Sequence, residues 1–97
     1  MRFEWDEEKN QSNIRKHGFD FADAEQVFMH PMIVGLDDRE NYGEDRWIGI
    51  GLQKTTVVVI VFAERDNEAI RVISLRKALS YERSRYAQIL KDQLETD

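Results

Sequence analysis

The sequence predicts an α+β fold, in which helices are segregated from an antiparallel sheet. Three observations lead to this class. Helix caps and apolar stripes at helical spacing occupy residues 6–30, apolar strand patterns separated by turns occupy residues 32–76, and a last capped apolar seam follows Ser80. We therefore expect a short first strand, two helices, a four-strand antiparallel meander and a C-terminal helix.

Length and composition indicate a single small domain over residues 1–97. Of the 97 residues, 41% are hydrophobic and 34% are charged, which is typical of a globular protein and not of a disordered one. Because no apolar run approaches the ~18 residues of a membrane helix and no apolar signal segment opens the chain, we expect a cytoplasmic protein without membrane contact. The absence of cysteine excludes disulfides, thiolate zinc sites and a cysteine nucleophile, and with two histidines we expect neither a metal nor a cofactor.

The N-terminal part is predicted to form a strand followed by two helices. The alternating segment Phe3-Glu4-Trp5 is the strand, and Asp6 is the N-cap of a helix with acidic residues in its first turn. Gly18 is expected to end this helix in the left-handed conformation. Asp20 caps the second helix, which ends before Pro31 because the residue preceding a proline disfavours the helical conformation.

Four strands and a helix are predicted to follow. The strand candidates are residues 32–36, 46–52, 55–63 and 69–76, with a polar loop at 37–43 and a turn at Asp66-Asn67-Glu68. The segment 57–63 is apolar on both faces, so its strand should be central in the sheet. Alternation along the last strand predicts that one face carries Ile70, Val72, Ser74 and Arg76. The final helix should start at Ser80 and bury a seam formed by Tyr86, Ile89 and Leu90.

Charge is distributed unevenly along the chain. The net charge is −5, yet residues 71–91 hold six Lys or Arg against Glu82 alone, which is a local charge of +5. The acidic total argues against a general nucleic-acid coat. The local block allows one phosphate-facing surface or one surface for an acidic partner, and a solvated helix face explains it equally well.

Several segments, taken together and in order, carry a family resemblance. They are Phe3-Glu4-Trp5-Asp6, the segment 13–18 with its Lys-His-Gly step, Phe21-Ala22-Asp23-Ala24 with Val27-Phe28, and the segment 71–78 with Glu82-Arg83 and Tyr86. This combination resembles the BrnT family, toxins of type II toxin–antitoxin modules, from about residue 3 to residue 86. The resemblance implies a RelE-like ribonuclease fold, RNA cleavage that arrests translation, and a DNA-binding antitoxin called BrnA, through which alone DNA would be contacted.

Metal-independent RNA cleavage by a 2′-hydroxyl needs a base, an acid and cations that hold the charge developing on the phosphate. A positioned acid or base typically supplies about 10²–10⁴-fold. Loss of one preorganised electrostatic donor commonly costs about 10²–10³-fold. Because the two effects are comparable, arginines with only a modest base can suffice. The activity that the resemblance implies is that of an endoribonuclease, and this chemistry would let it act without a metal ion.

Arg76 and Arg65 are the candidate phosphate-binding catalytic residues. Arg76 ends the last strand and matches the arginine of the resembling segment, and its planar fork fits two phosphate oxygens. The alternative is a salt bridge from Arg76 to Glu82 or to an acidic loop. Arg65 follows the central strand and matches a family position, although it could instead pair within its hairpin. Antiparallel pairing brings Arg46 and Arg65 to one edge but Arg76 towards the other, so one shared pocket requires strong twist, unequal strands or a long groove.

His17 is the candidate catalytic acid or base, because histidine is the side chain whose charge changes near neutral pH. The alternative is structural, since a cation before a C-terminal glycine is favoured by the helix dipole. The candidate RNA-binding residues are Arg46, Lys16, Lys77 and Arg83, which could equally contact an antitoxin.

A non-catalytic regulatory subunit is the alternative function. In that case an exposed sheet edge and the +5 block would dock an acidic protein, and no RNA would be cleaved.

Overall fold

The computed structural model describes residues 1–66 and 68–95, and within them it has the predicted α+β architecture. Asn67, in the predicted turn at 66–68, lies outside the described residues. The strands are β1 (Arg2–Glu4), β2 (Ile33–Leu36), β3 (Trp47–Gln53), β4 (Thr56–Arg65) and β5 (Ala69–Lys77). The helices are α1 (Glu7–His17), a 3₁₀ turn at Phe21–Asp23, α2 (Ala24–Phe28) and α3 (Ser80–Glu95).

The sheet has the strand order β1-β5-β4-β3-β2. Strands β2 to β5 form the predicted antiparallel meander, and the predicted central strand, β4, lies in the middle of the sheet. β1 pairs in parallel with the start of β5, with Arg2 opposite Ala69 and Glu4 opposite Arg71. The sheet is therefore five-stranded and mixed, a pairing that the sequence analysis left open.

Local signals set the ends of α1 as predicted. The Asp6 carboxylate accepts hydrogen bonds from the backbone N–H groups of Glu8 and Lys9, at 2.9 and 3.2 Å. At the other end Gly18 has φ 77° and its N–H donates to the Ile14 carbonyl at 2.8 Å. The second predicted helix is divided into the 3₁₀ turn and the short α2, both before Pro31.

The core lies between one face of the sheet and the N-terminal helical segments. Phe21, Ala24 and Val27 are fully buried there against the sheet residues Val58, Ile60, Phe62, Ile70, Val72 and Leu75. The first turns of α3 lie at the opposite face, beside Ile48 and Ile50. No helix in the described part of the chain is long and apolar enough to cross a membrane.

A β-bulge in β5 changes the face on which its last residues lie. Val61 pairs with Ser74 and Phe62 pairs with Val72, so Ile73 has no partner in β4. The extra residue lets Leu75 join Ile70 and Val72 on the core face, and it turns Arg76 to the opposite face. The prediction that Ile70, Val72, Ser74 and Arg76 share one face is therefore wrong, and Arg76 lies on the side of α3.

Candidate functional site

Arg76 is held by a carboxylate from the first turn of α3. Its Nη1 and Nη2 donate to Oε1 and Oε2 of Glu82 at 2.8 and 2.9 Å. Oε1 of Glu82 also accepts the backbone N–H of Leu79 at 2.8 Å, and the Glu82 side chain is only 10% exposed. The salt bridge that was the alternative role for Arg76 is thus present.

The salt bridge leaves part of the Arg76 guanidinium available. Arginine has five N–H donors. Glu82 takes one from each Nη, and the Lys77 carbonyl accepts another from Nη1 at 3.3 Å. Within residues 1–66 and 68–95 the Nε–H and the second N–H of Nη2 have no hydrogen-bond partner. These two parallel donors form a side-on fork, the geometry that binds two oxygens of a phosphate.

Arg76 and Glu82 each stabilise the charged form of the other. Hydrogen bonds from Arg76 lower the pKa of Glu82, and the same bonds raise the pKa of Arg76. The positive charge of Arg39 opposes the rise in the pKa of Arg76. Arg39 itself pairs with the buried Asp37 at 2.7 and 2.8 Å, and this hydrogen bonding lowers the pKa of Asp37.

A groove of about 270 Å³ lies between α3 and the sheet, and Glu82, the partner of Arg76, lines it. Its sheet side is mostly apolar, and its helix side is formed by Tyr81, Glu82 and Arg85. Tyr81 is 70% exposed, which is unusual for a large aromatic side chain. The sequence analysis did not select Tyr81, Arg85 or Arg39. Helical spacing could have placed the first two beside Glu82, whereas Arg39 belongs to the loop between β2 and β3, where Asp37 donates its backbone N–H to the Arg46 carbonyl at 2.7 Å.

Three other arginines converge on Glu44, at the far end of the same sheet. Nε of Arg46 and Nη1 of Arg65 each lie 3.4 Å from its carboxylate, and Nη2 of Arg71 also donates to it. Burial acts to raise the pKa of Glu44, but hydrogen bonds and charge from Arg71 and Arg46 outweigh it and lower the pKa. Arg65 also lies 3.9 Å from Glu4. This cluster therefore attaches the loop before β3 to the sheet.

The register of β4 and β5 separates the two arginine centres. Arg76 lies opposite Val59, whereas Arg65 lies opposite Ala69. Val59 and Arg65 are six residues apart along β4, which corresponds to about 20 Å at ~3.3 Å per residue. Arg46 and Arg65 share one end, as the sequence analysis expected, but a single compact pocket that uses both Arg65 and Arg76 is wrong.

Of the remaining candidates, His17 and Lys16 lie at the end of α1, next to residues of β5 that precede Arg76. His17 and Lys16 are exposed and border a shallow depression with Ile73 and Ser74 of β5. Lys77 is exposed at the end of β5.

Arg83 forms hydrogen bonds at the start of α3 and with the preceding loop. Its Nη1 donates to the Ala78 carbonyl at 2.9 Å and its Nη2 to Ser80 Oγ at 3.1 Å.

The two ends of the sheet differ in charge. From Ser74 to Ala87 four cations stand against one carboxylate: Arg76, Lys77, Arg83 and Arg85 against Glu82. The other end has four arginines against six carboxylates: Arg2, Arg46, Arg65 and Arg71 against Glu4, Glu44, Asp45, Glu64, Asp66 and Glu68. The +5 block is therefore not one surface, because Arg71 belongs to the acidic end.

An apolar groove of about 520 Å³ opens at this acidic end. Phe28, Phe62 and Ile70 line it, and Glu64, Arg65 and Glu68 also border it. Within the described residues no group of three or more His, Asp or Glu side chains is arranged to hold a metal ion.

Comparison with known proteins identifies one family. A family model described as the ribonuclease toxin BrnT of type II toxin–antitoxin systems matches residues 5–82. Among solved structures, the chain is similar to the crystal structure of the Brucella abortus ribonuclease toxin BrnT, with 34% sequence identity and a TM-score of 0.65. That match covers 82% of this chain and 99% of the Brucella chain. A search of curated proteins finds no significant match.

Proposed function

This chain belongs to the BrnT family of ribonuclease toxins from type II toxin–antitoxin systems, and on that premise we propose that it cleaves RNA without a metal ion, with Arg76 binding the scissile phosphate. The observation that carries this proposal is the unpartnered side-on fork of Arg76, whose partner Glu82 lines an open groove at the cationic end of the sheet. A guanidinium fork matches two phosphate oxygens in both charge and spacing.

Cleavage would proceed by in-line attack of the RNA 2′-hydroxyl on the adjacent phosphorus. The bond from O2′ to phosphorus forms as the bond from phosphorus to O5′ breaks, which leaves a 2′,3′-cyclic phosphate and a 5′-hydroxyl. The non-bridging oxygens gain negative charge in the transition state, and the two donors of Arg76 are already oriented to meet it. The 2′-hydroxyl loses a proton as O2′ attacks, and O5′ takes up a proton as it departs; His17 is proposed for one of these two transfers and water for the other.

Cations around Arg76 would bind the RNA backbone on either side of the cleaved bond. Lys77 and Lys16 are exposed near the second half of β5. Arg83 keeps part of its guanidinium for the loop before α3, and it contributes positive charge as well. Arg65 and Arg46 stand outside this interface, since both are bound to Glu44 at the acidic end.

The cellular role would be arrest of translation in the cytoplasm through RNA cleavage. A DNA-binding antitoxin similar to BrnA would neutralise the activity, and this chain would contact DNA only through that partner. Membership of a type II toxin family supports this role. Growth arrest on expression, relieved by co-expression of the product of a neighbouring gene, is the expected behaviour.

Cleavage of a single-stranded RNA oligonucleotide in the presence of EDTA tests the reaction directly. Arg76→Ala should lower the rate by about 10²-fold or more, because a preorganised donor pair is lost. Arg76→Lys should also be strongly impaired, because it keeps the charge but not the fork. Arg15→Ala is the matched control, since Arg15 is an exposed arginine of α1. Wild-type rates in Arg76→Ala, or loss of cleavage in EDTA, would contradict the proposal.

A non-catalytic regulatory subunit is the second candidate, and the groove of about 520 Å³ at the acidic end is the observation that favours it. Its apolar lining and the net negative charge of the bordering Glu64, Arg65 and Glu68 suit an antitoxin segment with apolar anchors and Lys or Arg flanks. This differs from the acidic partner expected from the +5 block.

The double variant Glu64→Lys with Glu68→Lys tests that surface. It should weaken the complex with the co-expressed antitoxin and leave RNA cleavage unchanged, whereas Glu95→Lys on α3 should affect neither. A wild-type protein that forms a tight complex but never cleaves RNA would favour the regulatory role over the ribonuclease.

A further inference from the structure

We propose that Glu82 is a positioning residue for RNA cleavage, which holds the Arg76 guanidinium so that its Nε and Nη2 edge stays free for the scissile phosphate. The inference rests on the proposed function of Arg76 and adds a second residue to it. Glu82 would not touch the RNA, and it would act only through Arg76.

Glu82 is itself fixed in place by three N–H donors. Two come from Arg76 and one comes from the backbone of Leu79 at the start of α3. The carboxylate is nearly buried and attached to a helix, so it forms a rigid support. A free arginine side chain loses substantial rotamer entropy when it is ordered by a ligand. Arg76 is ordered before RNA binds, which reduces that cost and keeps the fork near its productive geometry.

One edge of the Arg76 guanidinium is held by Glu82, and a different edge is free to bind a ligand. Glu82 occupies the Nη1 and Nη2 side of the guanidinium, and the Nε and Nη2 side remains unpartnered among the described residues. A carboxylate bound to the other side would block the phosphate fork. The arrangement therefore supports orientation of Arg76 and not its sequestration.

The negative charge of Glu82 has an electrostatic cost for RNA binding. It opposes the approach of a phosphate, although Lys77, Arg83 and Arg85 keep the local charge positive. Removal of Glu82 should therefore favour RNA association while it disorders the catalytic fork. A fall in kcat with an unchanged or lower KM is the signature that a positioning role predicts.

The kinetic test compares wild type, Glu82→Gln and Glu95→Gln on a single-stranded RNA oligonucleotide. Glu82→Gln retains an amide oxygen that can accept the Leu79 N–H, but it loses the bidentate carboxylate. We expect kcat to fall by about tenfold to a hundredfold without a rise in KM. Glu95→Gln removes a carboxylate that pairs with Lys91 on the same helix and should leave both parameters unchanged.

A double-mutant comparison separates positioning from general structural damage. In an Arg76→Lys background, Glu82→Gln should cause no further loss, because the group that Glu82 orients is already absent. An equal loss in both backgrounds would overturn the inference, as would faster cleavage by Glu82→Gln, which would mean that Glu82 inhibits Arg76.

Nitrogen-15 NMR relaxation of the Arg76 Nε–H gives a readout that does not depend on activity. This group should be ordered in the wild type and mobile in Glu82→Gln, with Glu82→Asp as a second variant that keeps the charge but shortens the reach. If the wild type cleaves no RNA while these NMR changes occur, the proposed function fails and the hold of Glu82 on Arg76 stands. An Arg76 Nε–H that is equally ordered in the wild type and both variants would overturn the positioning role of Glu82.

Discussion

The side-chain amide of Asn13 forms two hydrogen bonds with the backbone of Leu75. Its Nδ2 donates to the Leu75 carbonyl at 2.8 Å, and its Oδ1 accepts the Leu75 N–H at 3.2 Å. β1 ends opposite Arg71, so beyond that point no strand of the described part of the chain neighbours the outer edge of β5. Asn13 therefore makes the backbone hydrogen bonds of Leu75 that a neighbouring strand would otherwise make. Leu75 directly precedes Arg76.

Asn13→Ala should destabilise the fold by about 3 kcal/mol. It leaves the N–H and the carbonyl of the buried Leu75 without these partners, and it also removes the bond from Asn13 Nδ2 to the Phe19 carbonyl. Urea denaturation would measure the change. Gln11→Ala, at an exposed position of the same helix, should stay within about 0.5 kcal/mol of wild type. A similar midpoint for both variants would show that the Asn13 bonds contribute little.

Arg65→Ala should cleave RNA within a few-fold of the wild-type rate, in contrast to Arg76→Ala. Along β4, Arg65 lies about 20 Å from Val59, the residue opposite Arg76. Arg65 is also bound to Glu44 and Glu4. Oligonucleotide cleavage by the two variants, with folding checked by circular dichroism, makes the comparison. A folded Arg65→Ala protein that has lost cleavage would move the active site to the Glu44 end of the sheet.

Acid should weaken the fold through Glu82. Arg76 lowers the pKa of this carboxyl below its ordinary value of 4.5 in the folded protein. The stabilisation that this pKa difference gives is complete above about pH 4.5. It is lost as the pH falls through the lower pKa that Glu82 has in the folded protein. The free energy of unfolding, measured between pH 7 and pH 3, should fall less steeply in Glu82→Gln than in wild type. If the free energy of unfolding falls equally with pH in the two proteins, Glu82 does not contribute to the acid sensitivity.

Gly18→Ala should destabilise the protein by about 1 kcal/mol, because φ at this position is 77° and a Cβ is strained there. Gly35 is the matched control. An added Cβ meets open space at both glycines, but only Gly18 has a positive φ. Gly35→Ala should be close to neutral in thermal unfolding. Equal melting temperatures for the two variants would contradict a conformational role for Gly18.

Local features of the fold were predictable from the sequence because each depends on a few adjacent residues. The cap at Asp6 and the left-handed Gly18 are examples, and both are confirmed. The apolar character of residues 57–63 correctly placed β4 in the centre of the sheet. The parallel pairing of β1 with β5 was not predictable in this way, because it joins residues more than sixty positions apart.

Only part of the candidate site followed from sequence reasoning. Arg76 and its possible partner Glu82 were both identified, since they lie six residues apart beside a helix cap. The distance between Arg65 and Arg76 was foreseen from strand direction, and the register confirms it. The groove beside Glu82 was missed, because it is lined by residues of β2, β3 and α3 that no local pattern brings together.

By itself, the amino-acid order determined which segments become helices and strands and where most of them end, because caps and apolar periodicity act over a few residues. Tertiary packing alone decided which way Arg76 points. One extra residue at Ile73 inverts the alternation of the side chains that follow it, and it is accommodated because Leu75 then fills the core. The guanidinium of Arg76 consequently meets Glu82 on the opposite face, a relationship that strict alternation in β5 would have prevented.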